Sequence, residues 1–244
     1  MEQHAIEIGG ELIRFQLRRS QRKTMGISVS PDQAVVVSAP EKADFADIES
    51  RVRKKAGWIL DKQAEFSTRS VQATPRQFKP GETFLHLGQQ YRLRVDPDRV
   101  GVVREGSRII VGAIRPNEAD RIRNRLVRWY MKEARQHLPA ALERCLPIFR
   151  KEVGQRPKLL IRPIKMRWGS YISATHTLIL NRSLVQVSPP LIDYVVAHEL
   201  AHVGHGDHGP AFIAHLTEKM PDWRKRKKAL EKLGPELFDA PVLR

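Results

Sequence analysis

The first third of the chain alternates between apolar and polar positions in short runs. The segments "ELIRFQLR", "MGISVS" and "AVVVSAP" have the period of two, or the valine content, that is typical of β-strands, and Pro31-Asp32 marks a turn between the last two. After Pro40, the apolar residues of "DFADIESRVRKKAGWILDKQAEF" recur at near-helical spacing from Phe45 through Trp58 and Ile59, and Asp44 can cap the first turn. This pattern predicts strands followed by one helix.

The middle of the chain changes from strand-like to helical periodicity. A connector, "ATPRQFKPGE", leads into two strand-like runs, "TFLHLGQQYRLRV" and "GVVREGSRIIVG". The pattern turns helical around Arg115-Pro116. We predict a basic helix that ends at Leu138, because proline follows, and a second helical segment over residues 140–153. The apolar stripe of the first of these helices consists of Ile122, Leu126, Trp129 and Tyr130.

The C-terminal part predicts a small sheet and two helices. The run "KLLIRPIKMRWGSYISATHTLILNRSL" contains two short strand signals around a Trp-Gly-Ser turn. Ser188-Pro189-Pro190 begins a helix, since serine suits the N-cap and proline the first turn. A last helix follows Pro221. We therefore expect an α+β protein, with a β-rich accessory region containing one helix over residues 1–115 and helices packed on a small mixed sheet over residues 116–244.

Composition limits the class of protein. A chain of 244 residues with 41% hydrophobic and 29% charged residues fits a soluble globular protein. No apolar run approaches the ~20 residues of a membrane-spanning helix, and "MEQHAIEIGGELIRF" lacks the layout of a signal peptide. The single cysteine, Cys145, cannot form an internal disulfide and suits a helix core. We expect a cytoplasmic protein without a membrane partner.

The net charge of +16 favours a polyanionic partner. Basic residues cluster on the helix that follows residue 116 and in "WRKRKK" at 223–228. Nucleic acid is the obvious candidate, although basic helix faces are often only solvated surface. The residues that we assign to nucleic-acid contact are Arg121, Arg125, Arg128, Arg224, Lys225, Arg226, Lys227 and Lys228.

Five of the nine histidines lie within "VVAHELAHVGHGDHGPAFIAHL", residues 195–216. His198, Glu199 and His202 form H-E-x-x-H on a predicted helix, where residues four apart share a face and two imidazoles can reach one zinc ion. Glu199 is placed to take a proton from the metal-activated water. Leu191 and Val195 continue the histidine stripe, so this face points inward and is not a solvated helix face. The pattern predicts a metallopeptidase centre.

A catalytic zinc needs a third protein ligand and an open position. We choose His208, because Gly204 and Gly206 can end the helix and return the chain to the metal. His205 is the rival ligand and Glu218 a weaker one. Asp207 could orient a ligand, whereas His215 is expected to be structural or on the surface.

These residues resemble the YgjP-like family of predicted metal-dependent hydrolases, which are relatives of the SprT-like zincins and the minimal gluzincins. The matching segments include "MRWGS" at 166–170, "LILNRSLVQVSPPLIDYVVAHELAH" at 178–202 and Asp207 to Phe212, and further matches extend almost to the N-terminus. The resemblance implies a zincin-like metallopeptidase domain over 116–244, with zinc on the three histidines, Glu199 as general base and the strand "TLILN" beside the cleft.

Two departures from the family pattern bear on the substrate. The family usually has cysteine after Trp-Gly-Ser, where this chain has Tyr171, and Asn-His-Ser where it has Asp207-His208-Gly209. Tyr171 could narrow the cleft or donate to an oxyanion, or it could simply pack. We expect "TLILN" to be an exposed edge that binds an extended peptide, with Asn181 among the contacts.

Three functions fit these features. The first is a zinc metallopeptidase that acts on a peptide or protein substrate. The second is a metal-dependent nucleotide pyrophosphohydrolase, which the basic surface favours but for which no glycine-rich phosphate loop is visible. The third is a basic nucleic-acid-binding protein with a structural metal, although such a site normally has four protein ligands. A peptidase recruited to DNA would combine the first and third.

Overall fold

The computed structural model describes residues 2–22, 24–30, 33–70, 76–112, 118–164 and 167–239. The chain divides into two compact units, Met1–Thr74 and Pro75–Arg244. The division lies earlier than the boundary after residue 115 that the sequence suggested. The reason is that the strands after Pro75 bury Phe84, Leu93 and Ile109 in the same core as the long helix that follows them.

The first unit is a four-stranded sheet with two helices. The strands are β1 (Glu2–Ile8), β2 (Glu11–Ser20), β3 (Gly26–Val29) and β4 (Val35–Pro40), in the order β1-β2-β4-β3. Strand β2 pairs antiparallel with β1 and parallel with β4, and β3 pairs antiparallel with β4. The alternation seen in the sequence buries one face of the sheet against the helices. Its core residues include Ile13, Phe15, Leu17, Val35, Val37 and Ala39.

The helical part of this unit is split in two where the sequence predicted one helix. Helix α1 (Phe45–Lys54) begins after Asp44, whose carboxylate accepts from the Ala46 backbone N–H at 3.4 Å, as expected of an N-cap. The helix ends at Lys54 with Lys55 as its C-cap residue, and α2 (Ala56–Ser70) follows directly. The break turns Trp58 to the surface, although the spacing had placed it on the apolar stripe. The expected Pro31-Asp32 turn lies outside the described residues.

The second unit opens with another four-stranded sheet. Its strands are β5 (Thr83–His86), β6 (Gln89–Asp96), β7 (Val102–Glu105) and β8 (Arg108–Gly112), in the order β5-β6-β8-β7. The β5–β6 turn has positive φ at Leu87 and Gly88, which suits a tight hairpin. A Cβ on Gly88 would lie 2.7 Å from the Ser188 Cβ, so this glycine permits close contact with the residue that begins the histidine helix.

Helix α3 (Ala119–Cys145) runs through the second unit and continues past Pro139, so the predicted end at Leu138 is wrong. Proline removes one backbone donor. The helix continues because Leu138, Ala141 and Leu142 on either side are fully buried in the core. Cys145 is buried at its C-terminus, as expected, and the short helix α4 (Arg150–Val153) follows.

The remaining elements form the frame of the histidine site. Strands β9 (Lys158–Arg162), β10 (Gly169–Ile172) and β11 (Thr177–Asn181) make a mixed sheet in the order β10-β11-β9. A 3-10 helix (Arg182–Gln186) leads to α5 (Pro189–Ala201), α6 (Pro210–Lys219) and α7 (Trp223–Asp239). The Trp-Gly-Ser segment, predicted as a turn, therefore begins a strand of its own.

The predicted fold class is confirmed, since strands dominate the N-terminal part and helices the C-terminal part of an α+β chain. Within the described residues, no helix combines the length and the apolar character that crossing a membrane requires.

Candidate metal centre

Helix α5 carries the H-E-x-x-H residues on its last turn. Ser188 is its N-cap residue and Pro189 and Pro190 occupy the first turn, as the sequence predicted. The helix ends at Ala201, with His202 as its C-cap residue. Neither Gly204 nor Gly206 has a positive φ. The chain therefore turns back through these glycines without the left-handed conformation that often ends a helix.

The structure brings His198, His202 and His208 together, with one ring nitrogen of each within 4.8 Å of the others. The Nε2 atoms of His198 and His208 are 3.0 Å apart. Two ligands on a tetrahedral zinc ion with bonds of ~2.1 Å would be ~3.4 Å apart, so the rings need to separate only slightly to hold a metal. The three imidazoles fit a transition-metal ion with a position left open.

The protonation pattern also fits a metal. His202 Nδ1 lies 2.9 Å from the His205 carbonyl oxygen, which can only accept, so Nδ1 carries the proton and Nε2 has its lone pair free. Burial, together with His202, His208 and Lys227, lowers the pKa of His198 to about 3, which keeps its ring neutral. Burial and His202 also lower the pKa of His208.

Packing holds the three rings in place. The buried Phe212 ring on α6 lies 5.1, 4.7 and 4.8 Å from the rings of His198, His202 and His208. Among the described residues, the buried Nδ1 of His198 has no hydrogen-bond partner, so contacts with Phe212 and Tyr194 orient this ring. Asp207 accepts from the Gly209 N–H at 3.0 Å and shapes the turn that carries His208.

The two rival ligands lie outside this cluster. The ring of His205 lies 5.1 Å from the ring of His215. His205 contacts the cluster through its backbone carbonyl oxygen, which accepts from Nδ1 of His202. Glu218 is 73% exposed and lies 3.6 Å from Lys219. His215 lies 3.8 Å from Glu152 on α4, in a structural position.

Glu199 is buried at the edge of β10, with only 8% of the residue exposed. Burial raises the pKa of its carboxyl group to about 7, against the opposing effects of Arg167 and of the Tyr171 backbone N–H, which donates to the carboxylate. Gly169 makes this position possible, because a Cβ there would lie 2.9 Å from Cγ of Glu199. A group with this pKa can take and return a proton near neutral pH.

The two residues predicted to bind substrate have structural partners. The Asn181 side chain is buried and donates to the carbonyl oxygens of Ile164 (2.9 Å) and Arg167 (3.0 Å). The Tyr171 hydroxyl lies 2.6 Å from His176 Nδ1. Because His176 Nε2 donates to the Gln155 carbonyl oxygen at 2.8 Å, Nδ1 accepts from Tyr171. Both side chains thus stabilise the walls around the site.

The prediction that "TLILN" is an exposed edge is wrong. This segment is β11, the central strand, and all five of its residues are buried. Strand β10 is the outer strand on the side of Glu199. The Asn181 N–H donates to the Trp168 carbonyl oxygen, so these two residues are a hydrogen-bonded pair of the β10–β11 ladder. Such pairs alternate along antiparallel strands with pairs whose backbone groups point outward. The backbone groups of Gly169 and Tyr171 therefore point away from β11.

A cleft of about 480 Å³ opens beside Glu199, His198 and His208. Its other lining residues include Trp168, Tyr194, Val195, Ile213, Trp223 and Leu230, with the charged residues Arg167, Lys227 and Glu231. Arg167, Gly169 and Tyr194 were not predicted from the sequence as part of the site. The signal for Gly169 was present in the Trp-Gly-Ser segment.

The basic residues predicted to bind nucleic acid lie on two helices. On α3, Arg121 and Arg128 are exposed and Arg125 is half-buried. The run on α7 is divided among several environments: Arg224 stacks on Trp223, Arg226 pairs with Asp222 at 2.8 Å, and Lys227 lines the cleft. Lys225 and Lys228 are exposed.

Comparison with known proteins identifies the family. The sequence model described as "YgjP-like, metallopeptidase domain" matches residues 23–233. No curated protein matches the chain. Among solved structures, the metallopeptidase zymogens jannalysin of Methanocaldococcus jannaschii and abylysin of Pyrococcus abyssi are similar to part of it. Jannalysin is 24% identical, with a TM-score of 0.35, and the match covers 39% of this chain and 96% of jannalysin. Abylysin is 25% identical, with a TM-score of 0.34, and the match covers 39% of this chain and 94% of abylysin. On the family match, the chain belongs to the YgjP-like family of metallopeptidases.

Proposed function

We propose that this metallopeptidase is a zinc enzyme in which His198, His202 and His208 hold the metal and Glu199 is the general base. The observation that carries the proposal is the convergence of three imidazole nitrogens within 4.8 Å, beside a buried carboxylate that faces the same cleft. When bound, zinc supplies Lewis-acid chemistry, which polarises a carbonyl group and lowers the pKa of water to ~7.

Glu199 moves the proton in this proposal. Its carboxylate accepts a proton from the attacking water and returns it to the leaving amine, which requires a pKa near the working pH. Burial of Glu199 raises the pKa of its carboxyl group toward that range, to about 7 in the metal-free protein. The Tyr171 N–H and the close contact with Gly169 fix the carboxylate, so that the reacting geometry is set before substrate binds.

The outer edge of β10 is our proposed binding surface for the peptide. The backbone groups of Gly169 and the carbonyl group of Tyr171 face away from β11, so they are the groups with which an added strand would pair, although Gly169 itself is buried. The apolar walls of the cleft at Trp168, Val195 and Leu230 suit a hydrophobic side chain next to the cleaved bond. Strand addition thus remains the proposed binding mode, moved from β11 to β10.

The experiment is hydrolysis of an unstructured protein by the purified chain. We expect cleavage that chelation abolishes and that stoichiometric zinc restores, with no hydrolysis of nucleoside triphosphates under the same conditions. Triphosphate turnover without peptide cleavage would instead support the pyrophosphohydrolase alternative. Bound zinc with neither activity would favour a structural metal.

A second candidate function, nucleic-acid binding, is favoured by the outer face of α3. Arg121, Arg128, Lys132 and Arg135 are exposed at spacings of seven, four and three residues, opposite the buried Ile122–Leu126–Tyr130 side. These spacings place the four cations in one stripe along the helix. Such a stripe can follow a phosphate backbone without reading bases.

A further inference from the structure

A second group of potential metal ligands lies where β5 meets α3, and it consists of His86, Glu133 and His137. His86 is the last residue of β5, whereas Glu133 and His137 lie four residues apart on α3. One donor atom of each lies within 4.8 Å of the others. None of the three lines the cleft beside Glu199.

The spacing of the donor atoms in this group is compatible with a coordination sphere. Glu133 Oε2 lies 3.0 Å from His86 Nε2 and 3.6 Å from His137 Nε2. Ligand atoms on one tetrahedral ion with bonds of ~2.1 Å are ~3.4 Å apart. The buried Nε2 of His86 is within hydrogen-bonding distance of Glu133 but is not directed at it.

The surroundings hold the three side chains in place. His86 is only 1% exposed, and its ring lies 4.9 Å from that of Trp129. The Tyr130 hydroxyl donates to the Leu85 carbonyl oxygen at 2.6 Å and so fixes β5 to α3 beside His86. Glu133 and His137 have side-chain exposures of 16% and 30%, which leave the outer side of the group open to solvent. An ion can therefore enter without unfolding the protein.

We propose that His86, Glu133 and His137 form a second site for a zinc-class divalent metal ion, separate from the histidine centre on α5. Two imidazoles and one carboxylate are a donor set that zinc accepts, whereas calcium and magnesium prefer oxygen ligands alone. The ion bridges β5 and α3. The β5–β6 turn that follows His86 contacts Ser188, so the ion also stabilises the start of α5.

Arg104 competes with the ion for His86. Its guanidinium lies 3.3 Å from His86 Nδ1 and 3.1 Å from the Tyr91 hydroxyl oxygen. An arginine can only donate, so Nδ1 accepts and Nε2 carries the proton in the metal-free protein. Metal binding at Nε2 moves the proton to Nδ1 and requires Arg104 to withdraw. Arg104 is exposed, which allows this movement.

The test measures zinc stoichiometry in the full chain by equilibrium dialysis and elemental analysis. The background variant His198→Ala/His202→Ala removes the α5 centre, so the result does not depend on the proposed peptidase activity. We expect two zinc ions in the wild type, one in this background and none when His137→Ala is added. His4→Ala is the matched control, because His4 lies 3.2 Å from Glu2 but belongs to no three-ligand group among the described residues.

Two further measurements separate a metal site from a purely structural cluster. Zinc should raise the Tm of the background variant, and His137→Ala should abolish that rise while circular dichroism shows an unchanged fold. Arg104→Gln should tighten zinc binding, because it removes the competing cation. The proposal fails if the background variant binds no zinc at micromolar concentration. It also fails if His137→Ala leaves the wild-type stoichiometry at two.

Discussion

Replacing Gly169 with alanine would place a methyl group against the proposed general base. The new Cβ would lie 2.9 Å from Cγ and 3.1 Å from Oε1 of Glu199, whereas ordinary contacts begin at 3.4 Å. Glu199 must therefore retreat by about 0.5 Å, the difference between 3.4 and 2.9 Å. It has little room to do so because only 8% of it is exposed. The φ angle of Gly169 is not positive, so the substitution adds no backbone strain.

The expected effect is on turnover and not on metal binding. A misplacement of 1 Å at a reacting group can reduce the rate by ~10²-fold, so about half that distance should lower kcat/KM by ~10- to 10²-fold. Overpacking should also reduce the free energy of unfolding by ~1–3 kcal/mol. Gly204→Ala is the matched control, because its Cβ meets nothing within 4 Å and its φ is not positive.

The assay combines peptide hydrolysis, zinc content and thermal unfolding for the wild type and the two variants. We expect Gly169→Ala to keep its zinc and remain folded at the assay temperature while losing turnover, and Gly204→Ala to resemble the wild type. Wild-type turnover in a folded, zinc-loaded Gly169→Ala protein would refute the inference that this contact positions Glu199. Equal losses in both variants would indicate a general effect of adding a methyl group near the site.

Three other predictions address the ligands, the basic surface and the core. Replacing His208 with alanine should lower zinc occupancy far more than replacing His205, since only His208 lies in the three-nitrogen cluster; the opposite order would reject the third ligand. Duplex DNA binding should weaken steeply with salt. Replacing Arg128, Lys132 and Arg135 together with alanine should reduce the slope of log affinity against log salt by ~0.9 per lost phosphate contact. If the wild type binds no DNA at low ionic strength, the stripe is only a solvated surface. Cys145 should not react with a thiol reagent at pH 8 until the protein is unfolded, because burial raises the pKa of its thiol to about 12. Rapid labelling of the native protein would contradict the burial of Cys145 at the end of α3.

The features that the sequence predicted correctly rest on local rules. Period-two alternation identified β2, valine content identified β4, and serine followed by two prolines located the start of α5. The four-residue spacing was enough to place His198 and His202 together. Local rules failed at Pro139, where burial of the flanking residues keeps α3 continuous against the preference of proline.

Features that depend on tertiary pairing could not be read from one strand at a time. The run "TLILN" is uniformly apolar because β11 is central, yet an apolar run alone does not tell a central strand from an edge. The importance of Gly169 comes from the approach of Glu199, which is distant in the sequence. Lys227 belongs to a basic run in the sequence but lines the cleft, because α7 packs against α5.

The most direct test of the central claim is zinc content together with peptide hydrolysis for the wild type and Glu199→Gln. Glutamine fills the same space but cannot accept a proton from the attacking water, and a general base typically contributes ~10² to 10⁴ in rate. We predict that Glu199→Gln binds as much zinc as the wild type and loses at least ~10²-fold in kcat. Unchanged turnover in a zinc-loaded Glu199→Gln protein would show that Glu199 is not the general base.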